Sequence, residues 1–261
     1  MRRETQNILL VLLGGALLKI SLNGTFVRYV RPDLKPLLIV SGAVMLALAA
    51  VSIVQDIRRA RQLAAAEAES AGHEHGAAEP VGACEAHGHQ HGGARSAWML
   101  LLPVLAIFLI APPALGADSV NRSGDLTVAS QQRQDQVVKT SFPPLPAGDV
   151  LPMRLADVAT RAAWDATNSL DGRTLQLTGF VVREGSEVYV ARLVINCCAA
   201  DAMPVKAKLL GADLGALAND QWITVTGQVK PGSADQASNY VPAFTVTGLK
   251  RVDTPSDPYE T

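Results

Sequence analysis

The chain of 261 residues carries 23 Lys+Arg against 24 Asp+Glu, with five histidines, three cysteines, 48% hydrophobic and only 18% charged residues. Balanced charge excludes a nucleic-acid protein held by a basic surface, and three cysteines exclude a disulfide scaffold. The apolar excess is concentrated near the N-terminus, so membrane segments have to be considered before any globular fold.

Three apolar runs predict three transmembrane helices in a membrane domain spanning 1–117, near 8–22, 37–54 and 98–117. The run Leu37 to Val54 has no charge and is about 27 Å long as a helix, close to the hydrocarbon thickness. Trp98 to Ala117 is also uncharged; Trp98 suits an interface, while Pro103, Pro112 and Pro113 kink or end the helix. Ile8 to Leu22 is interrupted by Lys19. It has the Arg2-Arg3 start of a signal peptide, but no small-residue cleavage site follows and two further spans do. Loop charges tie: Arg2, Arg3, Arg58, Arg59, Arg61 and Arg95 against Lys19, Arg28, Arg31, Lys35, Arg122 and Arg133. The tight cluster after the second span favours a cytoplasmic N-terminus, which puts the C-terminal domain outside the cytoplasm.

Residues 60–97 are expected to be a loop, whose Ala/Glu-rich start suits an extension of the second helix by several turns before the sequence becomes rich in Gly, Ala, Pro and His. It cannot bury a core and is expected to be disordered without a ligand. It holds every histidine of the chain, His73, His75, His87, His89 and His91, together with Cys84. Imidazole and thiolate ligate zinc and neighbouring transition metals, so the loop is a candidate metal site, weak or plural because it is flexible. The alternative is a solvated polar linker.

Residues 118–148 are polar, then Pro-rich, and are expected to be a connector; 149–261 should be a soluble, mostly-β domain. Leu155 to Leu170 has helical spacing and ends at the Asp171-Gly172 turn signal. Five strand-like runs follow: Thr174–Arg183, Glu187–Asn196, Met203–Leu210, Gln221–Lys230 and Ala243–Val252, with a short helical piece after the third. That order predicts an OB-like five-stranded barrel, with a small sandwich as the alternative.

The adjacent Cys197 and Cys198 end the second run. Side chains alternate along a strand, so a continuing strand would point the thiols apart. A strand ending at Asn196 would let a turn gather them with Asp201. Three chemistries compete: small buried hydrophobes, thiolate ligands with Asp201, or a redox pair. A bond between neighbours is strained, because their Cα atoms lie about 3.8 Å apart, below the disulfide range. With no histidine in this domain, no Ser-His-Asp or Cys-His arrangement can form there. Neither a P-loop, a GxGxxG nor an HExxH occurs, so no enzymatic activity is expected.

Hydrophobic spans, a His-rich loop with a Cys, and a domain carrying Tyr189, Val190, Ala191, Arg192, Val194, Cys197, Cys198, Ala200, Asp201, Ala202 and Pro204 together resemble the YcgQ-like family of bacterial membrane proteins. The strand from Gln221-Trp222 to Thr226-Gly227 and the terminal Pro255…Pro258-Tyr259 fit the same resemblance. It implies a multi-pass protein of the bacterial cell membrane, encoded beside a predicted permease that would be its partner. The function expected from residues and resemblance together is a membrane-anchored accessory subunit handling a transition metal such as zinc. The alternatives are a membrane-anchored thiol redox protein and a purely structural docking module. With three spans, the loop and the cysteine pair would lie on opposite faces of the membrane and could not share one ion.

Overall fold

The computed structural model describes residues 3–71, 113–124, 127–130, 141–211 and 214–261, with Leu102, Leu105 and Leu109. The chain divides into two compact units, Met1–Gly24 with Lys35–Pro112, and Thr25–Leu34 with Pro113–Thr261.

In the first unit, helix α1 (Arg3–Leu22) packs against helix α2 (Lys35–Ala71). The contact passes through two glycines. A Cβ on Gly14 would lie 3.0 Å from the Gly42 carbonyl oxygen, and one on Gly42 would lie 3.2 Å from that of Gly14. Small residues let helix backbones approach this closely. Ala16, Ser21 and Ala49 are buried, and Asn7 Nδ2 donates to Asp56 Oδ2 at 3.3 Å. The rest of α2 is the reverse of a soluble surface: Leu37, Val40, Val44, Leu48, Val51 and Val54 are all exposed.

The expectation of three transmembrane helices is corrected. Among the described residues one helix, Pro32–Ala65, is long and apolar enough to cross a membrane, with a mean hydropathy of 2.7 in its best window. In α1 the apolar stretch is the shorter Gln6–Leu22, bounded by polar residues at its start and interrupted by Lys19. Of the third expected span, residues 113–116 are not helical, and Ala117 opens a separate helix, α3 (Ala117–Ser123). Pro113 supplies no N–H to continue a preceding helix. Apart from those residues and Leu102, Leu105 and Leu109, that span lies outside the described residues.

The second unit is built on strands β1 (Leu151–Pro152), β2 (Leu175–Glu184), β3 (Glu187–Val194), β4 (Met203–Leu210), β5 (Trp222–Val229), β6 (Ala243–Arg251) and β7 (Tyr259–Glu260). They form one seven-stranded mixed sheet in the order β1-β2-β5-β6-β4-β3-β7, with a further β2–β3 pairing. The pairs β1–β2, β3–β7 and β4–β6 are parallel, the others antiparallel. The expected five-stranded OB-like barrel is therefore corrected to a seven-stranded mixed sheet. The two added strands are too short to show a period, and they join the sheet in parallel from stretches flanking the strand-rich region. Gly185 turns the β2–β3 hairpin at φ +62°, a conformation glycine adopts without a Cβ clash.

Both faces of the hairpin are buried. Leu175, Leu177 and Val181 of β2 and Val188 and Val190 of β3 join one core, with Leu155, Val158 and Ala159 of helix α4 (Leu155–Trp164). Phe180 and Val182, with Tyr189, Ala191, Leu193 and Ile195, join a second core with Ala117 and Val120 of α3 and with Tyr259. Among the described residues of 118–148, α3 packs on β2 and Ala129 lies in the first core. Helix α4 stops at Trp164, six residues before the expected end. Asp165 there accepts from Thr167 N–H at 2.8 Å, Thr167 Oγ1 at 2.7 Å and Ser169 N–H at 3.1 Å. Such side-chain bonds offer the backbone an alternative to helix.

The C-terminal tail ties these pieces together. Glu260 accepts from the N–H groups of Leu155 (2.9 Å) and Ala156 (2.9 Å), capping α4 where a carboxylate is favoured. Its Oε1 lies 3.8 Å from Nε of the buried Arg192, whose Nη2 donates to the Tyr259 carbonyl at 3.0 Å. Arg192 also stacks over Trp222, 4.9 Å from the ring centroid. Burial raises the Glu260 carboxyl above its ordinary value, with the two N–H donors and Arg192 pulling the other way.

Replacing Glu260 with Ala strips two helix N–H groups and a buried guanidinium of their partner, so it should cost about 3–5 kcal/mol in urea unfolding. Because the folded carboxyl binds its proton more tightly than the unfolded one, the contribution of Glu260 to stability falls as pH rises from the unfolded value of about 4.3 through the raised folded one. Glu260→Gln should lose that slope.

Candidate functional site

Strand β3 ends at Val194, and the chain turns through Asn196 and Cys197 into a short 3-10 helix, Ala199–Asp201. Asp201 makes the turn. Its carboxylate accepts from the N–H of Asn196 at 3.2 Å, Cys197 at 2.8 Å and Cys198 at 3.4 Å. In return the Asp201 N–H reaches the Cys198 carbonyl at 3.0 Å, and the Cys198 sulfur caps the same N–H. An Asp side chain that bonds local backbone competes with the sheet ladder in this way.

The turn brings the two thiols together instead of leaving them on opposite faces. Cys197 Sγ and Cys198 Sγ lie 3.4 Å apart, with Cys197 exposed and Cys198 half-buried. Both sulfurs and an Asp201 oxygen fall within 4.8 Å of one another. Two sulfurs on a tetrahedral zinc, each at about 2.3 Å, are about 3.8 Å apart. The spacing is thus close to a chelating pair and far from the roughly 2.05 Å of a disulfide. Bonding to Cys198 and the neighbouring Asp201 carboxylate push the Cys197 thiol up to about 11. Burial acts to raise the Asp201 carboxyl, but the three N–H donors outweigh it and hold it below the ordinary carboxylate range. The group is an electron-rich cluster with three donors and no cationic side chain among them.

The second wall of the turn comes from far away in sequence. Residues Thr25–Leu34, between α1 and α2, lie in the same unit as the cysteines. Val30 forms an antiparallel bridge with Cys198. Ala199 N–H donates to the Tyr29 carbonyl at 2.7 Å, and Arg31 N–H to that of Cys197 at 3.2 Å. The Arg31 guanidinium, paired with Asp33 at 2.8 Å, reaches the Asn196 carbonyl at 3.3 Å. Phe26 is buried, and Tyr259 Oη donates to the Arg28 carbonyl at 2.9 Å, so the segment is also held on the N-terminal side of the bridge.

Other residues of the motif have structural surroundings. Arg192 sits under the C-terminal tail, Pro204 is buried at the start of β4, Ala202 packs on the second core and Ala200 is exposed. His73, His75, Cys84, His87, His89 and His91 lie outside the described residues. Sequence reasoning missed Tyr29, Val30 and Arg31, because a ten-residue link between two helices shows no strand period. It also missed Glu260, whose partners lie far away along the chain. The Pro258-Tyr259 resemblance was the only signal near that end.

The N-terminal domain of the DUF1980 family matches residues 5–125 and its C-terminal domain residues 162–260, most of the chain between them. No curated protein matches it. Among solved structures, one similar chain is a "putative aspartyl-tRNA synthetase from Leishmania major Friedlin", at 10% identity over 47% of this chain and 25% of that one. The present chain thus spans a quarter of that protein, and at a TM-score of 0.24 the likeness carries no argument.

Asp201→Ala should release the turn. Amide exchange at residues 196–198 should rise, and stability should fall by about 1–2 kcal/mol, measured by hydrogen exchange and urea unfolding.

Proposed function

The chain belongs to the DUF1980 family, and we propose that it is a membrane-anchored protein that captures or hands over a soft divalent transition metal, zinc first, as the accessory subunit of a permease. The observation that carries this is the convergence of two thiols and a carboxylate in one turn. Soft thiolate and harder carboxylate are both ligands that the borderline-soft zinc ion takes. Three protein donors leave a fourth position open, which suits an exchangeable ion better than a closed structural site. The metal would place positive charge where the cluster gathers negative charge, and Cys197, Cys198 and Asp201 would hold it. The histidine loop would add a separate store of ligands.

The anchor is supported by the apolar exposure of α2. Arg58, Arg59 and Arg61 follow its apolar stretch, and the positive-inside rule assigns that end to the cytoplasm. Thr25–Leu34, which pairs with the cysteine turn, leads directly into the other end. This supports an extracytoplasmic cysteine domain on a bacterial cell membrane. The permease partnership is supported by the YcgQ-like resemblance. The thiol redox alternative fits the geometry less well. The backbone of both cysteines is hydrogen-bonded on each side, and closing a bond between neighbours would require it to distort.

Zinc binding by the full chain, measured against a chromogenic chelator, tests the proposal. Cys197→Ala/Cys198→Ala should lose one equivalent of zinc, while Ala replacement of the five loop histidines should leave that equivalent in place. Unchanged zinc content in the double cysteine variant would overturn the assignment of the site.

A further inference from the structure

Each backbone polar group of the two cysteines has a partner. The Cys197 N–H goes to Asp201, the Cys198 N–H to Asp201, and the Cys198 carbonyl to the Asp201 N–H. The Cys197 carbonyl is the exception: it is held by Arg31 N–H, from the segment between the two helices. Buried or crowded backbone groups are nearly always paired, so losing this donor frees the peptide between the two ligands to rotate. Its neighbours in the same bridge, Tyr29 through Ala199 and the Arg31 guanidinium through Asn196, clamp the turn on either side of the sulfurs.

We propose that Thr25–Leu34 is the positioning element of the metal site, and that its docking on Cys197–Ala199 and metal loading of the thiols strengthen each other. The proposal rests on the metal reading of the cysteine turn. Two ligands on adjacent residues can chelate only while the peptide joining them keeps its orientation, and the bridge to Val30 fixes that orientation from one side as Asp201 does from the other. Outer partners that orient first ligands commonly change metal affinity about 10–100-fold when lost. Coupling is reciprocal, so an ion that binds the docked form better must also hold the segment down by the same factor. Leu34 is followed by Lys35, the first residue of α2, so occupancy of the site would be felt in the segment that enters the apolar helix.

The test uses the full chain with zinc ions as the probe. Arg31→Pro removes the N–H that holds the Cys197 carbonyl, whereas Arg31→Ala keeps it. The proline variant should bind zinc about tenfold more weakly, and the alanine variant within about threefold of wild type, with thermal unfolding of the zinc-free proteins compared alongside. Independently of any variant folding well, zinc should slow hydrogen exchange across residues 25–34 of the wild type and leave it unchanged in Cys197→Ala/Cys198→Ala. Exchange in 25–34 that ignores zinc bound at the cysteines, or equal zinc affinity in Arg31→Pro and wild type, would overturn the proposal while leaving the metal site standing. A wild-type chain whose cysteine pair binds no zinc would overturn both.

Discussion

One carboxylate, Asp201, gathers the N–H groups of Asn196, Cys197 and Cys198, and the meeting of the two thiols depends on that gathering. A strand would have sent the two sulfurs to opposite faces, about as far from chelation as neighbouring side chains can be. The turn instead sets them 3.4 Å apart beside the carboxylate that made the turn. Asp201 therefore has two functions, accepting backbone N–H groups with its oxygens and offering an oxygen to the cluster. Bonding to Cys198 and the same carboxylate that organises the backbone together raise the Cys197 thiol above its ordinary value.

A second constraint holds the strand that delivers this turn. The Ile195 N–H, just past the end of β3, donates to the Glu260 carbonyl at 3.0 Å before the bend. Glu260 is itself fixed by the N-terminus of α4 and by Arg192, which leans on Trp222. Arg192 is thus a motif residue that acts on the tail, and the tail acts on the strand. Tyr259 extends the link to Arg28 and to the Leu115 N–H, bringing the inter-helix segment under the same control. The cysteine turn lies between two long-range fastenings, one from the C-terminus and one from residues 25–34.

Local patterns in the sequence were legible where one element buried one face. Leu155, Val158 and Ala159 show their helical spacing and do pack into a core. The five long strands lie within a few residues of where their β-branched runs suggested. What was not legible depends on contacts distant in sequence. β1 and β7 are two residues each, and only their parallel partners make them strands. Among the described residues, hydrophobic runs overstated the membrane part, because α1 carries Lys19 and residues 113–116 are not helical. At the site, the triad Cys197, Cys198 and Asp201 was visible as a spacing. The bridge from Val30 was not, since a short link between helices carries no periodic signal.

The most direct test of the account is X-ray absorption at the zinc edge of the full chain carrying Cys84→Ser and loaded with one equivalent of zinc. A zinc ion held by Cys197 and Cys198 gives two sulfur scatterers at about 2.3 Å, with lighter oxygen or nitrogen ligands completing the shell. A shell of nitrogen and oxygen alone would contradict it, because the ion would then have passed over the cysteine turn.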